Sequence, residues 1–440
     1  MTKGKIVLKG IIELLSPTLT GSGDNDFSDI DVLVDSDGKP LIPATSFTGV
    51  LKHYLKIKDH KKELEDFWGY TTKTTGKQSA LRCSDLNCIS NYNLSVRDGI
   101  RIDNKKGIVE DKGKYDYEII DPGARFSLTM EVDYTEDTES FVKGMVATIY
   151  TELENHRVRV GAKTNNGLGK IKLSDRKIYD FNFSDKKDNK DNVIKWLKKD
   201  FSSPSSFSVQ PFEIERKVFT IDATFDIKSS LLIRSYSSDP AEADSVHIMS
   251  GDKHVIPGSS LKGAIRARAE RIVKTLSKDT SLLTELFGIV DDKNRSKKSK
   301  RGRIRVEEVV LPRFISEINT RIKIDRFTGG TIEGALFDSK PLYTNFRDKV
   351  QNVKITVMDY KEHEPGLLLL VLKDLWTGDI AIGGEKNIGR GVLQGCNAII
   401  DCGDKPVILD NDFSKLSIDD KNKLEELVKA FSDYAGGGNN

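Results

Sequence analysis

Cysteine is scarce in this chain, which has only Cys83, Cys88, Cys396 and Cys402 among 440 residues. Four cysteines are too few for a disulfide framework at this length, and free thiols suit a reducing cytosol. Uninterrupted apolar runs of about 18 residues, which a transmembrane helix needs, are also missing. Residues 1–8 are basic and then apolar, but polar residues interrupt them and no small-residue cleavage site follows. We therefore expect a cytoplasmic protein with no membrane partner.

Net charge is small as well, at +2. The sequence is 37% hydrophobic and 31% charged, a mixture that is typical of soluble globular proteins. At roughly 150 residues per domain, this length predicts two or three domains. Because the chain is not globally basic, any binding of phosphate groups would depend on local clusters of Lys and Arg.

The second half of the chain repeats the first. Five blocks recur in the same order at offsets of 214 to 223 residues: 41–52 and 255–266, 67–69 and 286–288, 81–86 and 304–309, 101–103 and 323–325, and 161–169 and 383–391. One such match could arise by chance. Five collinear matches indicate two copies of one fold.

Each copy begins with a strand-like segment, over residues 5–15 and 218–227, and the second segment alternates clearly. Pro43 and Pro257 then start a helix, with Ser46 and either Ser259 or Ser260 available to cap it. A closing helix follows the glycine-rich block of each copy, with apolar residues Val193, Ile194 and Leu197 in the first and Leu424, Leu427, Val428 and Phe431 in the second. This order predicts an α+β fold with helices on one face of an antiparallel sheet.

A serine-rich run around Pro204 separates the two copies. We expect a first domain over residues 1–202, a linker over 203–212 and a second domain over 213–435. The glycine-rich residues 436–440 are expected to be a disordered tail.

The glycine-rich blocks 161–169 and 383–391 do not fit a nucleotide-binding motif. The first has no Gly-Lys-Ser/Thr ending, and the spacing from Gly389 through Gly391 to Gly395 is one residue too long for a dinucleotide fingerprint. A tight turn between helix and strand is one interpretation. Duplication, together with the flanking Lys163, Lys170, Lys386 and Arg390, instead favours close approach to a sugar-phosphate chain.

These blocks resemble the RAMP superfamily, specifically the backbone subunits of CRISPR type III (Csm/Cmr-like) effector complexes. The resemblance spans both copies and is most specific in residues 256–266 and 383–391. The first copy departs from the pattern, since Thr48 stands where the second has Lys262, and Ala44 stands where the second has Gly258. Guide contacts of the first copy are therefore expected to be weaker.

The resemblance implies two tandem ferredoxin-like or RRM-like domains that bind guide RNA (crRNA) and target RNA alongside other effector subunits. Each domain would carry a β-hairpin thumb, over residues 97–125 and 321–343, with residues 327–330 as the tip of the second. A sheet face with basic loops also suits single-stranded RNA. The candidate RNA-binding residues are Ser46, Lys52, Lys163, Lys170, Ser259, Ser260, Lys262, Arg266, Lys386, Asn387 and Arg390.

In catalytic members of this family an Asp precedes the proline-containing helix. Asp244 lies thirteen residues before Pro257, and Asp29 lies fourteen residues before Pro43, with Asp31 and Asp26 as alternatives. Such an Asp could hold Mg²⁺ or assist removal of the ribose 2′-OH proton, so that this oxygen attacks the adjacent phosphorus. The products would be a 2′,3′-cyclic phosphate end and a 5′-hydroxyl end.

Three functions remain open: a subunit that cleaves target RNA once per copy, a non-catalytic guide-RNA scaffold, and a guide-processing endoribonuclease that uses His53 or His247. The basic run 293–303 could bind phosphates or be a solvated loop. Cys83 and Cys88 lack an obvious second pair of zinc ligands, so simple thiols are the default and zinc is the alternative.

Overall fold

The computed structural model describes residues 2–23, 28–58, 60–72, 74–103, 107–184, 189–235, 242–289, 299–344, 349–403 and 405–434. They form two compact units. Unit 1 holds the residues up to Gly99, Tyr115–Thr164 and Leu168–Glu215, and unit 2 holds Ile100–Lys114, Asn165–Gly167 and the residues from Arg216 onward. The expected domain limits remain a prediction.

The first copy contains ten strands and four helices among its described residues. The strands are β1 Gly4–Leu14, β2 Leu41–Ile42, β3 Tyr70–Thr71, β4 Gly76–Lys77, β5 Leu81–Cys83, β6 Leu86–Asn87, β7 Leu94–Asp103, β8 Ile108–Ile120, β9 Arg125–Tyr134 and β10 Ile171–Asn182. The helices are α1 Ala44–Tyr54, α2 Lys61–Trp68, α3 Glu139–Glu154 and α4 Asn189–Leu197. The main sheet has the order β10-β1-β9-β5 and is antiparallel throughout.

The described part of the second copy contains seventeen strands and four helices. The strands are β11 Val218–Ile227, β12 Ser230–Leu231, β13 Arg234–Ser235, β14 Ser245–His247, β15 Met249–Ser250, β16 Lys253–Ile256, β17 Gly288–Ile289, β18 Lys300–Arg301, β19 Ile304–Val306, β20 Val309–Val310, β21 Ile315–Ser316, β22 Asn319–Ile324, β23 Thr331–Lys340, β24 Leu342–Tyr343, β25 Val350–Met358, β26 Leu393–Asp401 and β27 Val407–Asp410. The helices are α5 Gly258–Thr275, α6 Ser281–Phe287, α7 Glu364–Trp376 and α8 Ile418–Asp433. The main sheet has the order β19-β25-β11-β26-β27.

Both copies have the same sheet topology. Numbering only the four core strands of each copy along the chain gives the order 4-1-3-2, with α1 or α5 after the first strand and α3 or α7 after the third. This is the βαββαβ arrangement of a ferredoxin-like domain. The predicted α+β fold with two tandem ferredoxin-like domains is therefore confirmed.

Alternation on the core strands explains why the helices cover one face. In β11 every second residue is buried, at Phe219, Ile221, Ala223, Phe225 and Ile227. The segment 218–227 was predicted as this strand, and its bounds are confirmed. Burial of alternate residues leaves the opposite face of the strand for polar side chains.

Between the second and third core strands each copy inserts a long hairpin. In the first copy β7 pairs with β8, and in the second β22 pairs with β23 in antiparallel register. The predicted hairpins over 97–125 and 321–343 are thus present as elements. Phe327, at the turn of the second hairpin, is 99% exposed, and this segment turns because Asp325 Oδ1 accepts the backbone N–H groups of Phe327 and Thr328.

Two details of the helices differ from expectation. The residues that precede α1 and α5 are Pro43 and Pro257, which provide no capping side chain, and Ser46, Ser259 and Ser260 lie inside the first turn. The predicted serine caps are therefore wrong. In α1 the Asp85 carboxylate accepts the N–H of Ala44 at 2.7 Å instead, which satisfies one of the donors that a helix start leaves without an intrahelical partner.

The closing helices are present, but their buried faces differ. In α8, Phe431 is fully buried and Leu424 packs against the same core. In α4, Ile194 and Leu197 are exposed, and Trp196 packs against a small cluster with Tyr179 and Phe181. Of the three apolar residues predicted for α4, only Val193 is partly buried.

The segment 203–212, expected to be a linker, lies against unit 1. The Phe212 N–H donates to Thr148 Oγ1 at 2.8 Å, and its ring occupies the space beside Gly144 that a Cβ would fill. Phe207 and Val209 also pack on the core of this unit. Residues 436–440 lie outside the described part of the chain. Among the described residues, no helix combines the length and hydropathy needed to span a membrane.

Candidate functional site

The candidate catalytic aspartates of both copies contact the returning strand of the hairpin. Oδ2 of Asp29 accepts the backbone N–H of Asp116 at 3.0 Å, and Oδ2 of Asp244 accepts the backbone N–H of Asp338 at 2.9 Å. Both aspartates are exposed. Asp116 lies on β8 and Asp338 on β23, 222 residues apart, so the same geometry occurs twice.

The two alternatives to Asp29 are placed differently. Asp31 is buried, and its Oδ1 accepts both the N–H and the hydroxyl of Ser28. These bonds stabilise the loop and draw the carboxylate away from solvent. Asp26 lies outside the described residues. The geometry shared with Asp244 therefore favours Asp29 within the described part of this loop.

The glycine-rich loops have nearly identical backbones. Gly161 and Gly383 both have φ of +80°, and Gly169 and Gly391 both have φ of +77°. A Cβ on Gly391 would overlap the carbonyl oxygen of Ile382. Positive φ and close backbone packing thus account for these glycines, which is the tight-turn interpretation, while the side chains between them remain available for other contacts.

The third residue of the glycine-rich block is a lysine in the first copy and a glutamate in the second. Lys163 has φ of +53° and lies with its Nζ 4.4 Å from the ring centroids of both Tyr115 and Tyr117. These rings stack 6.0 Å apart. Tyr115 fits because Gly99 has no Cβ to overlap its ring. The first copy thus places a cation on two aromatic rings on either side of Asp116.

In the second copy the equivalent residue is Glu385, with φ of +55°. Its carboxylate forms ion pairs with Arg234, Arg321 and Arg390. Arg390, a candidate RNA-binding residue, is buried and also donates to Ser230 Oγ at 3.0 Å. Through these contacts Arg390 connects the glycine-rich loop to the rest of unit 2.

A cluster of cations surrounds the start of α5. Burial, followed by the neighbouring charges of Arg266, Arg301 and Arg305, lowers the pKa of Lys262 to about 8. Such a site favours an incoming anion, because a phosphate would compensate the repulsion among these cations. We call these four residues the α5 cation cluster.

Sequence reasoning found Lys262 and Arg266 but did not connect them with Arg301 and Arg305. Arg301 belongs to the basic run 293–303, of which residues 293–298 lie outside the described part. Arg305 lies on β19. The repeat matched residues 304–309 to residues 81–86, but nothing in the local pattern indicated that the charge of Arg305 would act on Lys262.

The other candidate RNA-binding residues lie on helices α1 and α5 and in or beside the glycine-rich loops. Ser46 and Ser259 are exposed on α1 and α5, Ser260 is partly exposed beside Ser259, and Lys386 and Asn387 are exposed at the tip of the second glycine-rich loop. Lys52 donates to the carbonyl oxygen of Gly69 at 3.1 Å. Lys170 is partly exposed, and its backbone N–H donates to Ser16 Oγ. At position 48, the Thr48 hydroxyl donates to the Ala44 carbonyl.

The histidines and cysteines are placed as follows. His247 is buried, its Nδ1 accepts the N–H of Ile233, its Nε2 bonds the Val255 carbonyl, and burial lowers its pKa to about 4. His53 is exposed on α1.

Burial, followed by the charge of Asp85, raises the pKa of the Cys83 thiol to about 12, which disfavours the thiolate that zinc requires. Cys88 is a buried free thiol.

The carboxylates of the candidate site could serve as metal ligands. Among the described residues, no three His, Cys, Asp or Glu side chains group as ligands. Mg²⁺, however, commonly takes one or two carboxylates and completes its shell with waters and substrate phosphates. An exposed Asp29 or Asp244 fits that role, with Oδ1 as the oxygen not engaged by the hairpin N–H.

The chain is similar to a protein family and to solved structures. A family model described as RAMP superfamily matches residues 11–172 and 224–394. A solved structure titled "Type III-B Cmr-beta Cryo-EM structure of the Apo state" aligns at a TM-score of 0.33 and 13% identity, over 38% of this chain and 96% of that chain. No curated protein matches the chain.

Proposed function

The chain belongs to the RAMP superfamily, with one matched region in each half, and from this premise we propose that it is a backbone subunit of a CRISPR type III effector complex. In this role it binds guide RNA, acts in the cytoplasm with other effector subunits, and cleaves complementary target RNA once per copy in antiviral defence. The observation that carries the proposal is the repeated contact of Asp29 with Asp116 and of Asp244 with Asp338.

Cleavage would use the target's own 2′-OH. The carboxylate of Asp29 or Asp244 accepts the 2′-OH proton, the oxygen attacks the adjacent phosphorus, and the bond to the 5′-oxygen breaks. The 5′-oxygen then takes up a proton, which leaves a 2′,3′-cyclic phosphate and a 5′-hydroxyl. If Asp29 or Asp244 instead held Mg²⁺, the ion would supply stabilisation of the charge that develops on the phosphate oxygens.

Guide RNA would bind through basic side chains rather than through overall charge. The α5 cation cluster supports this part of the proposal, because it concentrates positive charge in a protein whose net charge is only +2. The first copy has Thr48 in place of Lys262. We therefore propose that the second copy binds the RNA backbone more strongly.

The two alternative functions, a scaffold and a guide-processing ribonuclease, require different residues. A non-catalytic scaffold needs the cations but not Asp29 or Asp244. A guide-processing ribonuclease needs an accessible histidine: His247 is buried with both ring nitrogens engaged, which leaves the exposed His53 as its candidate. Target cleavage is the function that the geometry supports best.

The test is a cleavage map on guide-complementary RNA with Asp29→Asn and Asp244→Asn tested separately. Asn keeps an oxygen to accept the hairpin N–H but cannot accept a proton, so each variant should lose one cut and retain the other. Asp37→Asn and Asp252→Asn, at exposed turn positions of units 1 and 2, are the matched controls. Unchanged cutting by both site variants would contradict target cleavage by Asp29 and Asp244.

A further inference from the structure

Glu385 gathers three guanidinium groups from three separate segments of unit 2. Oε1 lies 3.3 Å from Arg234 of β13, and Oε2 lies 3.0 Å from Arg321 of β22 and 2.8 Å from Arg390 of the glycine-rich loop. One carboxylate cannot neutralise three cations. The group as a whole retains a net charge of +2.

Exposure divides the group into an inner and an outer part. The side chains of Glu385 and Arg390 are 5% and 6% exposed, whereas those of Arg321 and Arg234 are 28% and 50% exposed. The inner pair therefore holds the outer pair in place. Arg234 donates one hydrogen bond to Oε1 of Glu385, and each guanidinium carries five N–H donors, so other donors of Arg234 and Arg321 can bind a ligand.

The outer arginines belong to the sheet that carries the second candidate cleavage site. This sheet has the order β13-β14-β23-β22, with Arg234 opposite His247 and Arg321 opposite Phe337. Asp244 directly precedes β14, and its hydrogen-bond partner Asp338 is next to Phe337 on β23. An anion bound by the arginines would thus lie on the same small sheet as Asp244.

We propose that Arg234 and Arg321 form a binding site for an RNA backbone phosphate, with Glu385 as a buried positioning residue. This inference rests on the proposed function and adds to it a contact that the sequence motifs do not contain. Paired guanidinium groups with fixed orientation match the oxygens of a phosphodiester, and their attachment to a buried carboxylate lowers the entropy lost on binding.

The site is specific to the second copy. At the corresponding offset of 222 residues, the first copy has Gly99 in place of Arg321 and Lys163 in place of Glu385. Gly99 is required there by the Tyr115 ring. The two copies therefore present different chemistry to RNA: tyrosine rings under a lysine in the first, and exposed guanidinium groups in the second.

The test measures binding of a fluorescein-labelled single-stranded RNA to the full-length chain by anisotropy across a salt series. For single strands, each phosphate contact contributes about 0.7 to the slope of log affinity against log salt. Arg234→Gln combined with Arg321→Gln should weaken binding roughly tenfold at low salt and flatten the slope by about one such contact or more. Lys429→Ala, which removes an exposed charge on α8, is the control.

Arg234→Gln alone keeps two arginines on Glu385 and protects the test against misfolding, and it should show a smaller change of the same sign. If the double variant matches the control in affinity and slope, Arg234 and Arg321 do not bind phosphate. If the wild-type chain itself shows no salt-dependent RNA binding, the proposed function fails instead. The two failures are thus distinguishable.

Discussion

The backbone N–H of Asp338 donates to Oδ2 of Asp244, and in the first copy the equivalent pair is reciprocal. There Asp116 donates to Asp29, and the Asp29 N–H donates back to Oδ1 of Asp116 at 2.8 Å. In the second copy Oδ1 of Asp338 is buried and has no hydrogen-bond partner among the described residues. The hairpin side chain therefore positions the candidate catalytic residue in one copy only.

This difference predicts unequal effects of removing the two hairpin carboxylates. Asp116→Ala deletes a hydrogen bond to the Asp29 backbone. Such a bond contributes about 1 kcal/mol, so the first cut should be about fivefold slower if the bond stabilises the transition state in full. Asp338→Ala deletes no bond to Asp244, so the second cut should change less. Single-turnover rates at each cut measure both effects. Asp111→Ala, at an exposed position on the same hairpin, is the control, and equal losses at both cuts would contradict the prediction.

The α5 cation cluster predicts a pH dependence of RNA affinity. Since the pKa of Lys262 is lowered to about 8, the ammonium is charged below pH 8 and loses its charge as the pH rises through 8. Phosphate binds the charged form, so affinity should fall as the pH rises above about 8. Titrations at constant ionic strength between about pH 7 and 9.5 measure the fall.

Lys262→Arg is the matched variant, because a guanidinium stays charged throughout that range. Its affinity should vary less with pH than that of the wild type. Parallel pH profiles for the two proteins would show that Lys262 does not contact the RNA.

The architecture could be predicted from the sequence, but only part of the candidate site could. Repeat offsets near 222 residues were enough to pair the glycine-rich loops, the family resemblance predicted the hairpins, and alternation was enough for β11. Helices α3 and α7 were missed, because both bury residues on most of their surface and so lack a simple amphipathic stripe. The Glu385 group could not be foreseen either, since Arg234 and Arg321 approach it from segments 151 and 64 residues away in the chain.

The predicted serine caps were wrong for a related reason, because the group that bonds the helix start is distant in the sequence. A local rule assigned the start of α1 to Ser46, but Asp85, which lies 41 residues away from Ala44, takes the helix N–H. Tertiary contacts of this kind satisfy the same physical requirement without leaving a local signature.

The glycine-rich loop predicts a large difference between two neighbouring substitutions. Gly391 and Gly389 both have positive φ, +77° and +84°, but a Cβ on Gly391 would overlap a backbone carbonyl whereas one on Gly389 would meet open space. Gly389→Ala should cost about 1 to 2 kcal/mol from its left-handed backbone alone. Gly391→Ala should cost several kcal/mol more. Urea unfolding of both variants measures the difference, and equal midpoints would contradict it.

Burial of His247 predicts acid sensitivity that one substitution should remove. Burial lowers the pKa of this imidazole from 6.5 to about 4, so between these values the unfolded chain binds a proton that the folded chain does not. Stability is therefore lost as the pH falls below 6.5, by up to about 3 kcal/mol at pH 4. His247→Gln retains an acceptor and a donor but cannot titrate, so its free energy of unfolding should be lower at pH 7 yet fall less steeply towards pH 4. Identical slopes for variant and wild type would mean that other groups cause the acid loss.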